Sequence, residues 1–176
     1  DIRVLAVPIP ASSVVQSTLA VPRYMAGIEA LESHPLMDDR HDQMQRVPAG
    51  TAESPGTIEV TYDQPVTIQA ASLAIPDVNG AFREAPVDPR LQVRLPDGTY
   101  REIAALPIDR GPQTTVAFAP ITAQQFRIVF NAKAARNAAQ TLPGAPGALR
   151  PPVLAGPDLA MLPISEFRLW TEPRIH

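Results

Sequence analysis

The chain has no cysteine. That excludes disulfides, zinc–thiolate centres and a cysteine nucleophile. Aromatic residues make up only 5% of its 176 residues, so Ala, Val, Leu and Ile must fill the interior of a chain that is 45% hydrophobic. No apolar run approaches the ~18 residues of a membrane-spanning helix. Charge of either sign is modest and the net value is −3. Such a balance offers no electrostatic footprint for nucleic acid or an anionic membrane. The pattern G-x-S-x-G is absent, and the three histidines lie in no recognisable catalytic frame. His34 and His41 are seven apart with no carboxylate or cysteine at ligand spacing, so they do not read as zinc ligands.

Proline, by contrast, is abundant at 21 residues. Proline breaks helix interiors and is driven to strand edges, turns and loops. Alternating apolar segments among so many prolines predict an all-β domain with long loops. "TIEVTYDQPVTIQAASLAI" places Ile58, Val60 and Tyr62 on one face and Glu59, Thr61 and Asp63 on the other. "DQP" turns the chain. The apolar phase then runs through Ile68 and slips to Ala71, Leu73 and Ile75, as at a bulge. "RLQVRLPDGTYREIAAL" reads as a hairpin around Pro96 and Gly98. In "TTVAFAPITAQQFRIVF", Phe126, Ile128 and Phe130 share a face, and in "ISEFRLW" Phe167 and Leu169 do. Near the start, "DIRVLAVPI" reads as a buried strand. Met25, Ile28 and Leu31 recur at helical spacing and predict one short helix over 23–33. The polar stretch that follows reads as loop with an isolated strand. Residues 132–163 show no period and read as a long loop insertion over the surface. Seven to nine strands with hairpins and long returns predict a single antiparallel β-sandwich, a jelly roll with long Pro/Ala-rich loops.

The segments 58–60, "QPVT" at 64–67, "DGTY" at 97–100, "PITAQQFR" at 120–127 and "ISE" at 164–166 together resemble the discoidin-like, galactose-binding-domain-like module. The opening "DIRVLAVPIP" and the closing "ISEFRLWTEPRIH" resemble that module in bacterial α-L-rhamnosidases of glycoside hydrolase family 106. The resemblance implies a domain cut from a larger, periplasmic or secreted glycosidase, with the catalytic domain as its partner. Those enzymes invert with two carboxylates carried on a separate barrel. No catalytic residue is assigned to this chain: Glu29, Glu32, Asp38, Asp39 and Glu166 read as surface charge, with Glu166 facing Arg127 or Arg168 across strands. The resemblance also implies a structural Ca²⁺ loop, for which Asp38, Asp39 and Asp42 are the candidates. Here no glycine separates the acids, and Arg40 and His41 intervene.

Sugar rings stack on exposed aromatics, and most aromatics here have core phase. Trp170 is out of phase with Phe167 and Leu169, so it is either a platform or a contact for the neighbouring domain. The loop "DVNGAFREAPVD" offers Asn79, Phe82 and Arg83 as carbohydrate-binding candidates. Three functions stay open. One is a supporting domain of the enzyme that also contacts oligosaccharide. The others are an autonomous carbohydrate-binding module and an adhesion sandwich.

Overall fold

The computed structural model describes residues 21–51, 53–76, 87–108, 113–132 and 161–174. Among them there are nine strands and no helix: β1 (Arg23–Ala26), β2 (Glu29–Leu31), β3 (Gln45–Pro48), β4 (Gly56–Ala74), β5 (Val87–Arg94), β6 (Tyr100–Ala105), β7 (Gln113–Ala132), β8 (Met161–Ile164) and β9 (Glu166–Trp170). All pairings are antiparallel.

The two long strands organise the sandwich. β4 and β7 pair from Gly56–Phe130 to Ala74–Gln113, with register shifts between Thr61 and Val66 and between Ile68 and Ala70. The first shift holds the exposed residues 63–65. Proline there lacks the N–H a ladder needs, so the strand bends. The second shift is the phase slip visible in the sequence. Before the bend, β4 and β7 lie in a sheet ordered β2-β1-β4-β7-β5-β6. Beyond it, β9 joins β4 through Ala70–Trp170 to Ala74–Glu166. Ile58, Val60, Leu91, Phe126 and Ile128 face Ile68, Leu73, Phe167 and Leu36 in one apolar cluster. The Tyr24 ring meets Phe167 edge-on at 6.2 Å, and its hydroxyl donates to the Phe167 carbonyl at 2.9 Å.

The helix expected over 23–33 is instead a hairpin. Gly27 has φ of 61°, a left-handed value that glycine adopts without steric cost. It lets β1 reverse into β2 through Gly27 and Ile28, leaving Ile28 fully exposed at the tip. The β5–β6 hairpin forms as expected, with Gly98 at φ 85° and its N–H bonded to the Leu95 carbonyl. The loop drawn over 132–163 is trimmed at both limits: Ala132 ends β7, and Met161 opens β8, which pairs with β3. Residues 133–160 and the strand expected at 1–9 lie outside the described residues.

Candidate functional site

Alternation in β9 sends Phe167 and Leu169 into the core and Arg168 and Trp170 to the opposite face. Trp170 is only 5% exposed there. Its indole N–H donates to Ser72 Oγ at 2.8 Å, and Ser72 is hydrogen-bonded to Thr115 Oγ1. The guanidinium carbons of Arg168 and Arg174 lie 3.8 and 3.6 Å from ring centroids of the indole. The reading of Trp170 as an open sugar platform is therefore corrected: the ring is covered and its N–H is committed. Small residues on the central strand explain this. Ala70 and Ser72 leave room for the indole to lie down on the sheet.

Arg168 also reaches the acidic loop. Its Nη1 donates to the Met37 carbonyl at 3.3 Å and to the two Asp39 oxygens at 3.3 and 3.2 Å. Asp42 is held bidentately by Arg40, at 3.1 and 2.7 Å, and this guanidinium lowers its pKa. Asp38 accepts the Arg40 backbone N–H on Oδ1. Its buried Oδ2 has no hydrogen bond and lies 3.8 Å from His34 Nδ1. The Leu36 carbonyl accepts the Phe167 N–H. A calcium ion requires six to eight oxygens converging on one point. Here the three carboxylates serve three different partners, and the carbonyl of Met37 already faces a guanidinium. Among the described residues no three acidic or histidine side chains converge. The donor set does not fit Ca²⁺, which corrects the assignment of Asp38, Asp39 and Asp42 as ligands.

Glu166 is not the surface charge expected: it is 1% exposed and accepts a hydrogen bond from Gln113 Nε2 on Oε2. Arg127 instead donates to Gln92 Oε1 at 2.8 Å.

On the outer face of the larger sheet, polar side chains from four strands interlock. Gln125 accepts from Arg94 at 2.7 Å and donates to Glu59 at 3.1 Å. Tyr100 donates to the other oxygen of Glu59 at 3.3 Å. The Arg127 guanidinium carbon lies 3.5 Å from the Tyr100 ring centroid, capping the half-buried ring. Burial, then the Glu59 charge, raise the Tyr100 pKa. Beside this ladder the β5–β6 turn and the bend of β7 enclose an open groove of about 420 Å³. Its lining includes Leu95, Ile121 and Ala123 with Arg94, Arg101 and Gln124. The groove was missed in the sequence. "RLPDGTYR" and "ITAQQ" read there as a turn and a link, and only pairing brings them together.

Asn79, Phe82 and Arg83 lie outside the described residues. None of the eight described aromatic side chains is exposed: Tyr24, Tyr62, Phe126, Phe130, Phe167 and Trp170 are buried, and Tyr100 and Phe118 are half-buried.

No protein-family model and no curated protein matches the chain. Solved structures do. A rhamnosidase from Novosphingobium sp. PP1Y aligns over 89% of this chain with 21% identity and a TM-score of 0.58. This chain spans 12% of that enzyme's length. The protein CpGH89CBM32-6 of Clostridium perfringens aligns over 86% of this chain and 94% of its own, at 8% identity and TM-score 0.55. The family 32 carbohydrate-binding module of Streptococcus pneumoniae EndoD aligns over 86% and 98%, at 12% identity and TM-score 0.50. The fold is thus that of an antiparallel β-sandwich shared with carbohydrate-binding modules and with part of a glycosidase.

Proposed function

We propose that this chain is a non-catalytic β-sandwich domain of a bacterial α-L-rhamnosidase-like glycoside hydrolase. It braces the catalytic domain and touches carbohydrate at its periphery. This reading carries with it a periplasmic or secreted location, where such enzymes meet their substrates. One observation carries the choice of a bracing domain over a dedicated sugar-binding module. Every described aromatic is buried or half-buried, and the two nearest to a platform, Trp170 and Tyr100, are capped by guanidiniums. A pyranose ring finds no open flat apolar partner on them. The similarity to one-eighth of a rhamnosidase supports the identity of the larger enzyme.

The second reading, an autonomous carbohydrate-binding module, is favoured by the near-complete overlap with stand-alone modules. An adhesion surface is less supported. The large exposed apolar side chains sit apart: Ile28 at a hairpin tip, Met44 and Met161 at opposite ends of the β3–β8 pair. Such scattered side chains do not make a docking patch.

Calorimetric titration with L-rhamnose and neutral rhamno-oligosaccharides separates the first two readings. A cooperatively folded chain that gives no saturable heat at millimolar sugar supports the bracing domain. Saturable heat that disappears in Trp170→Ala or Phe82→Ala overturns it in favour of the module.

A further inference from the structure

The groove between the β5–β6 hairpin and the bend of β7 has a chemistry the bracing role does not use. Its floor is apolar: Val93 is buried, and Leu95, Ile121 and Ala123 are half-buried against the core cluster. Its rim is cationic and amidic. Arg94 and Arg101 are exposed and both line it, with Gln124 and Gln125 beside them. Register brings this about. Arg101 pairs with Val93 and Tyr100 pairs with Arg94, so the two arginines sit on neighbouring strands just before the turn.

Most arginines of this acidic chain are neutralised locally. Arg23 pairs with Asp63, Arg40 with Asp42, Arg90 with Asp88 and Glu102, and Arg168 with Asp39. Arg94 and Arg101 are not. Arg94 spends one N–H on a neutral amide, Gln125, and Arg101 makes no hydrogen bond or ion pair among the described residues. The carboxylates that could have met them are engaged elsewhere. Asp97 accepts both the N–H and the hydroxyl of Thr99, Glu102 accepts from Arg90, and Glu59 accepts from Gln125 and Tyr100.

We propose that this groove holds an acidic sugar residue: Arg94 and Arg101 take its carboxylate, the apolar floor takes the ring's C–H face, and Gln124 meets hydroxyls. Guanidinium forks match carboxylate geometry and form hydrogen bonds about twice as strong as neutral ones. The volume, about 420 Å³, falls within the range of sites for small ligands. A simple inorganic anion would use the arginines but not the floor, and a neutral sugar would use the floor but not the arginines. The role as a contact for a polysaccharide substrate rests on the glycosidase reading above. The binding itself does not.

The test is an NMR titration of the ¹⁵N-labelled 176-residue chain with a galacturonic acid trisaccharide, its neutral galactose counterpart and inorganic phosphate. The proposal expects saturable shifts for the uronate alone, confined to residues 93–101 and 121–125, including Gly98 and the Gln124 side-chain amide. Raising salt from about 0.02 to about 0.2 M should weaken binding several-fold, because exposed charges are screened. Arg101→Gln, which removes no contact of the fold, should weaken it about tenfold, and Arg94→Gln with Arg101→Gln should abolish it. Equal shifts with the neutral sugar, shifts with phosphate equal to those with uronate, an unaffected double variant, or no shift with uronate would each overturn it. A failed uronate titration leaves the bracing role standing, and neutral rhamnose heat would leave the groove standing.

Discussion

Replacing Arg168 by Met should uncouple the loop at 36–42 from β9. Met keeps much of the apolar stem and removes the guanidinium. Three contacts are lost or changed. The ion pair with Asp39 joins a side chain 19% exposed to one 67% exposed, and pairs so open to water contribute ~0.2–1 kcal/mol. The charged hydrogen bond to the Met37 carbonyl is the larger loss. Such bonds are worth ~1.5–3 kcal/mol, and its 3.3 Å length argues for the low end. Stacking on Trp170 contributes ~0.5–1 kcal/mol, of which a Met sulfur near the ring recovers a part. The net loss is then about 2 kcal/mol. For a chain of this size that lowers the melting temperature by ~4–8 °C. Urea and thermal unfolding followed by the fluorescence of Trp170, the chain's one tryptophan, would measure it. Asp39→Asn isolates the ion pair. Asn accepts the left-handed backbone that Asp39 adopts at φ 59°, so its cost should stay within ~0.2–1 kcal/mol. A loss below ~0.5 kcal/mol in Arg168→Met, under the usual effect of a surface change, would refute this account of the clamp.

Calcium at millimolar concentration and a chelator should both leave the melting temperature unchanged, and terbium should show no luminescence sensitised by Trp170. A calcium-dependent rise would restore a metal to the acidic loop. Tyr62 is pushed up to about 12 by burial, and Tyr24 is raised well above its ordinary value by burial first and by Tyr62 next. A raised tyrosine pKa favours the neutral phenol in the fold. Its stabilising contribution is full below pH ~10, the unfolded value, and is lost as pH climbs toward about 12. Absorbance of tyrosinate should therefore appear together with unfolding for these two rings. Ionisation of both near pH ~10 in a folded chain would contradict their burial. Gly56→Ala should cost more than Gly27→Ala. A Cβ on Gly56 would sit 1.9 Å from the Pro48 carbonyl oxygen, whereas nothing lies within 4 Å of one on Gly27. Overpacking of the first kind costs ~1–3 kcal/mol, against ~1–2 for a left-handed alanine. A larger loss at Gly27 in urea unfolding would reverse that ranking.

Much of the fold is legible because strands write their burial with period two. Ile58, Val60 and Tyr62 are all buried, and the slip after Ile68 appears in the pairing as a register shift. The hairpin at 96–98 is legible because Pro and Gly carry their backbone preferences with them. The helix reading at 23–33 failed where three apolar residues at helical spacing outweighed one glycine. Met25 and Ile28 do not share a face, and Gly27 was the signal for a tight reversal. The misreadings at the candidate site have a common cause. Trp170 is covered by a hydroxyl 98 residues away, and Asp39 is claimed by an arginine 129 residues away. Local spacing shows which side chains could bind a sugar or a metal. It does not show which partners the fold has already supplied.

The measurement that tests the central claim most directly is the mass of the native polypeptide carrying this sequence. An antiserum against the chain, used on fresh extracts and culture fluid of the source bacterium with protease inhibitors, should reveal a polypeptide several times larger than 18.9 kDa that hydrolyses a rhamnoside when immunopurified. A single species near 18.9 kDa, without hydrolytic activity, would contradict a bracing domain and leave an autonomous module.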